Sequence, residues 1–85
     1  MKLIFTRYFI REYQNLPKDI QKQVDKKLEL LENSPRHPSL RVHKIKKTKE
    51  ILEGRVTKNY RFTFRIERDF CILRRIGTHK IIEKP

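Results

Sequence analysis

Tyr60-Arg61-Phe62-Thr63-Phe64-Arg65-Ile66 is the stretch whose reading decides the fold. In an extended chain its side chains alternate, so Tyr60, Phe62, Phe64 and Ile66 share one face while Arg61, Thr63 and Arg65 share the other. This predicts a strand that is half core and half cationic surface. The next apolar run, Phe70-Cys71-Ile72-Leu73, pairs with it as an antiparallel neighbour across a turn near Glu67-Arg68-Asp69 and carries the chain to Gly77-Thr78-His79. A strand that ends in a glycine and a histidine is suited to hold a proton-transfer group over a basic surface.

Upstream, Glu50 to Val56 predicts a further strand, joined to the first by a turn around Lys58-Asn59. Before it, Leu40 and Val42 open an extended segment through His43-Lys44-Ile45, where the broken alternation predicts a bulge. That segment dissolves into Lys46-Lys47-Thr48-Lys49. Asn33 to Pro38 reads as a loop, because two prolines in four residues forbid both continued helix and a central strand. At the start of the chain, Lys2 to Phe5 predicts a short strand. Thr6 then caps a helix over about Arg7 to Gln14, with Phe9, Ile10, Tyr13 and Leu16 at helical spacing. A second helix begins around Pro17 and carries the stripe Ile20, Val24, Leu28 and Leu31. The fold class expected is α+β: two N-terminal helices packed on one face of a small, mainly antiparallel sheet of four to five strands. Consecutive strands would neighbour one another in a meander. The whole chain, 1–85, reads as one domain.

A chain of 85 residues buries only about 60–65% of the surface its unfolded form exposes, so the core must be a thin layer of helix on sheet. Lys and Arg number 22 against 10 Asp and Glu, a net charge of +12. Such an excess implies a polyanionic partner, nucleic acid or a strongly acidic protein, since self-repulsion on this scale otherwise only destabilises. Nothing approaches the ~20 apolar residues of a spanning helix, and no basic face joins a broad apolar one, so no membrane partner is expected. The lone Cys71 lies in an apolar run and reads as a buried, reduced thiol. Met1 leads straight into Lys2-Leu3-Ile4-Phe5, too short for the apolar part of a signal peptide, so a cytoplasmic location is expected.

No GxxxxGK[ST], HExxH, GxSxG or metal-spaced Cys/His set is present, and no metal or cofactor is expected. What remains is three histidines and many guanidinium groups, the equipment for cleaving RNA by acid–base chemistry without a metal. His43 is on a strand beside Lys44 and Lys46, and His79 follows the strand-ending Gly77-Thr78. His37, next to Pro38 and close to Pro35, reads as structural or solvent-facing. Arg61 and Arg65 are either a phosphate-binding face or the solvated side of the sheet.

Taken together, Gly54-Arg55-Val56-Thr57-Lys58-Asn59-Tyr60-Arg61-Phe62-Thr63-Phe64, the strand Ile72-Leu73-Arg74-Arg75-Ile76-Gly77-Thr78-His79, and Leu16-Pro17 leading into an amphipathic helix resemble the RelE/ParE superfamily of bacterial toxins. The likeness spans nearly the whole chain and points in particular to YafQ- and RelE-like messenger-RNA interferases. It implies a type II toxin: a ribosome-dependent endoribonuclease that cuts mRNA without a metal. It also implies a cognate antitoxin, acidic and wrapping the toxin as a peptide, with operator DNA bound only through that complex. By the same resemblance His43 and His79 would be the general base and acid, in either assignment, and Arg61 and Arg55 would stabilise the cleaved phosphate. Lys44, Lys46, Lys47, Lys58, Tyr60 and Arg65 would contact RNA. The sequence departs from the pattern at its end, where Lys80-Ile81-Ile82-Glu83-Lys84-Pro85 lacks the tyrosine that RelE- and YoeB-like members carry. Two alternatives stand beside this reading: a ParE-like inhibitor of DNA gyrase, which needs none of these histidines, and a non-catalytic basic nucleic-acid-binding module.

Overall fold

The computed structural model describes all residues from Met1 to Pro85. The elements follow in the order β1 (Lys2–Phe5), α1 (Arg7–Gln14), α2 (Lys18–Asn33), a 3-10 turn (Pro38–Leu40), β2 (His43–Lys44), β3 (Leu52–Arg55), β4 (Tyr60–Glu67), β5 (Phe70–Thr78) and a C-terminal 3-10 segment (His79–Glu83). Helix α1 starts where predicted. The Thr6 hydroxyl accepts from the Phe9 N–H and donates to the Leu73 carbonyl at 2.8 Å, so one side chain begins the helix and pins it to β5. Helix α2 has Pro17 at its N-cap and Asp19 in its first turn, and it buries Val24, Leu28 and Leu31 of the expected stripe. The two helices are tied where the Tyr13 hydroxyl donates to Asp25 at 2.6 Å, a bond that raises the phenol's pKa above its ordinary value. Neither helix is long and apolar enough to cross a membrane.

The fold is α+β as expected, with five strands in the order β1-β5-β4-β3-β2. Strands β2 to β5 form the antiparallel meander. The expectation that every strand neighbours the next fails at β1, which lies parallel to β5, Lys2 opposite Phe70 and Phe5 opposite Leu73. The helices carry the chain away from β1, and the meander returns to it from the far edge, the crossover that parallel pairing requires. The core is one cluster of 11 residues drawn from both helices and from β4, β5 and their neighbours, with Phe62 and Phe64 stacked at 5.5 Å between ring centroids. Gly54 makes room for this stack: a Cβ there would lie 2.2 Å from the Phe62 ring.

Five local expectations need correction. The register irregularity falls at Thr63/Phe64, opposite Arg74, and not between Val42 and Ile45. The strand expected from Glu50 to Val56 is confined to Leu52–Arg55, and the segment opening at Leu40 is a 3-10 turn followed by a two-residue strand. Ile66, expected in the core, is 45% exposed, because the helices do not extend over that end of β4. Thr63, expected on the solvated face, is fully buried, because the C-terminal segment folds over it and its hydroxyl donates to the Pro85 main-chain oxygen at 3.1 Å.

Candidate anion-binding face

The strand registers place side chains in rows across the sheet face that carries no helices. His43 pairs with Glu53, Glu53 with Thr63, and Thr63 with Arg75, so these four form one row. Arg55, Arg61 and Gly77 form the next, two residues further along, a step of about 7 Å. His79 follows just beyond that row, exposed, at the start of the C-terminal 3-10 segment. That segment crosses the same face: a Cβ on Gly77 would meet Ile81 Cγ2 at 3.0 Å. His43, Arg55 and Arg61 are thus brought together on one face, with His79 at its end.

Two bonds fix His43. Its Nδ1 lies 3.0 Å from the Arg41 carbonyl oxygen, and its Nε2 lies 2.9 Å from Glu53 Oε1. A carbonyl only accepts, so Nδ1 carries a proton and exchange with substrate falls to Nε2. Glu53 is 3% exposed, and its Oε2 has no partner. The sequence reading passed over Glu53. Its signal is a carboxylate alternating with Arg55 on a strand whose apolar positions are already assigned, on the same face as the Arg55–Arg61 pairing and one row away from it.

Arg61 is held by its own turn, Nη1 donating to the Thr57 and Lys58 carbonyls at 2.7 Å each. The rest of its guanidinium is unpartnered by protein. Arg55 lies between Arg61 and Arg41, and its pKa is lowered by desolvation first and then by those two cations, with Glu53 opposing. Its Nε is buried without a partner. Arg55 therefore feels two other guanidinium charges against one carboxylate that is itself engaged with His43. A doubly charged oxyanion placed among them would relieve the repulsion and satisfy the stranded N–H, the arrangement that phosphate recognition uses.

The remaining sequence candidates divide. Lys46 and Lys47 are exposed on the β2–β3 loop, Lys47 with a left-handed φ of 72°, and Lys58 is exposed on the β3–β4 turn. Arg65 lies on the face of Arg61 but pairs with Glu67 at 3.2 Å. Lys44 alternates with His43 and stands in the row of Leu52, the helix side. Tyr60 stands opposite Thr78 and packs against the core, so its ring is not presented beside His43.

Solved structures with this architecture include the RelB-RelE antitoxin-toxin complex from Methanococcus jannaschii, at TM-score 0.77 and 26% identity over 94% of either chain. YafQ from E. coli strain BL21(DE3) superposes at TM-score 0.79 with 14% identity, covering 95% of this chain and 96% of that one. A YoeB/ParE toxin from Agrobacterium tumefaciens does so at 0.78 with 16% identity, covering 93% and 99%. No protein-family model matches the chain, nor does any curated protein.

Proposed function

We propose, on the premise that this chain has the RelE/ParE-superfamily toxin fold, that it is the toxin of a type II toxin–antitoxin pair and cleaves mRNA on the ribosome. The observation that carries the reading is the strand register that sets Arg55 and Arg61 on the same face as the His43–Glu53 pair, one row along. The 2′-hydroxyl of the RNA gives its proton to His43 Nε2, whose lone pair is freed as the ring turns from Glu53 Oε1, while the 2′-oxygen attacks phosphorus, and Glu53 balances the imidazolium that forms. Arg55 and Arg61 stabilise the added charge on the phosphorane. The P–O5′ bond then breaks, and His79 protonates the departing oxygen. Lys46, Lys47 and Lys58 hold the flanking backbone with salt-dependent affinity. The partner that silences this activity is an acidic antitoxin that wraps the toxin as a peptide, in the cytoplasm, with operator DNA engaged only through the complex.

The test is expression of the chain, with and without its partner, together with toeprinting on translating ribosomes. Replacing His79 or Arg61 by Ala, or His43 by Gln, is expected to abolish growth arrest and lower cleavage by about 10²–10⁴ while antitoxin binding is kept. Variants that remain fully toxic would remove those residues from the mechanism. Because one neighbour is a YoeB/ParE toxin, a supercoiling assay is run alongside. Loss of gyrase activity with translation intact would replace this reading with the gyrase-directed one.

A further inference from the structure

A groove of about 850 Å³ lies away from His43. It is lined by Arg7 and Arg11 of α1, Arg74 and Arg75 of β5, and Lys84 and Pro85 of the C-terminal segment. Arg75 is committed: its Nε and Nη2 donate to Glu12 at 3.2 and 2.6 Å, and its Nη1 to the Lys84 carbonyl. Arg7, Arg11, Arg74 and Lys84 make no ion pair at all. Arg74 donates only through Nε, to the Pro85 main-chain oxygen. The groove therefore holds three cations with no partner, Arg7, Arg11 and Lys84, and a fourth, Arg74, engaged only at Nε, around a pair that is internally neutral.

Its position ties it to the proposed site. Arg75 ends the row that begins at His43, and Pro85 bonds Thr63 in the middle of that row. Three strand spacings, about 14 Å, separate the two ends. Helix α1 borders this face at the β5 edge because Thr6 bonds the Leu73 and Arg74 carbonyls, placing α1 beside the second half of β5 as the continuation of β1. We infer that the groove is a second phosphate site, and that RNA whose scissile phosphate lies at Arg55 and Arg61 passes over the C-terminal segment that covers Thr63 and seats another backbone phosphate among Arg7, Arg11, Arg74 and Lys84. The inference rests on the functional reading above.

Binding is measured on the full chain with 2′-O-methyl RNA, which cannot be cut through its 2′-oxygen, comparing a hexanucleotide with a dinucleotide. A dinucleotide carries one phosphodiester and cannot fill both places at once. Arg7→Gln/Arg11→Gln, two exposed positions on α1, is expected to weaken the hexanucleotide by about tenfold and to flatten its log Kd against log salt by about 0.7 per phosphate lost, leaving the dinucleotide unchanged. Arg74→Gln is expected to behave the same way. Equal loss for both oligonucleotides would mean bulk charge and would overturn the inference. So would unchanged hexanucleotide affinity, or affinity lost only for a Glu/Asp-rich peptide. The two readings fail separately. Length-dependent loss in a chain that cuts no mRNA keeps the groove and sinks the nuclease, whereas loss of mRNA cleavage on His43→Gln with no effect at Arg7 and Arg11 does the reverse.

Discussion

Glu53 is where residue chemistry and stability pull apart. A fully buried carboxyl with one stranded oxygen is costly to the fold, yet that group holds His43 in place. Glu53→Gln is therefore expected to leave the denaturation midpoint unchanged or raised while lowering cleavage by about 10–100-fold, and to add little to His43→Gln, since residues acting as one unit are not additive. Unfolding curves and single-turnover cleavage of the two single variants and the double variant check this. A second residue sets an alkaline limit. Burial pushes the Cys71 thiol up to about 12 from 9.0. A raised folded-state pKa contributes stability that is complete below the unfolded value and is lost as pH rises through the folded one. The Tm advantage of the parent chain over Cys71→Ala should thus hold below pH 9 and shrink between pH 9 and about 12. At this scale the sequence was legible for Phe62 and Phe64, whose alternation alone sends them inward. It was silent for Thr63 and Ile66, because their burial depends on where a tail folds and where a helix stops. It was legible, though unread, for Glu53.

The elements are fastened by few, identifiable contacts. Strand β3 can approach β4 under the Phe62 ring only because residue 54 has no side chain. Gly54→Ala must displace a ring that is fully buried and stacked on Phe64, and overpacking of that kind costs about 1–3 kcal/mol. A urea midpoint lowered with unchanged slope is the expected readout. Helix α1 is fastened to β5 by Glu12, which accepts twice from Arg75 and once from the Ile76 N–H at 3.3 Å. Both side chains are about a third exposed or less, so removing the carboxylate falls below the 3–5 kcal/mol of a buried pair. Glu12→Ala is expected to cost about 1–2 kcal/mol, measured by the same curves, and to loosen the C-terminal segment, since Arg75 also holds the Lys84 carbonyl. Helices and the long strands were legible because periodicity and capping are local. The irregularity opposite Arg74 was not, because an extra residue in one strand is visible only against its partner's register.

At the scale of the molecule, charge dominates. Twenty-two cationic side chains face ten acidic ones, and only three ion pairs form. Added salt therefore screens more repulsion than attraction, and Tm should rise as sodium chloride is raised from low concentration to about 0.5 M, where the Debye length falls below about 5 Å. A falling Tm would mean that the few pairs outweigh the net field. The thin helix-on-sheet plan was legible from length and pattern. The partner of β1 was not, since no local period says which edge of a sheet a first strand will join.

That pairing bears on how the protein is made. Lys2 waits for Phe70 and Phe5 for Leu73, and the Thr6 bond that starts α1's seat spans 67 positions of chain. Contacts so distant in sequence form late. A nascent polypeptide still short of its seventies has an unpaired first strand and no edge to receive it, so the cationic rows are not assembled while those residues remain inside the tunnel. Synthesis itself thereby delays the surface until the strand over residues 70–78 has emerged.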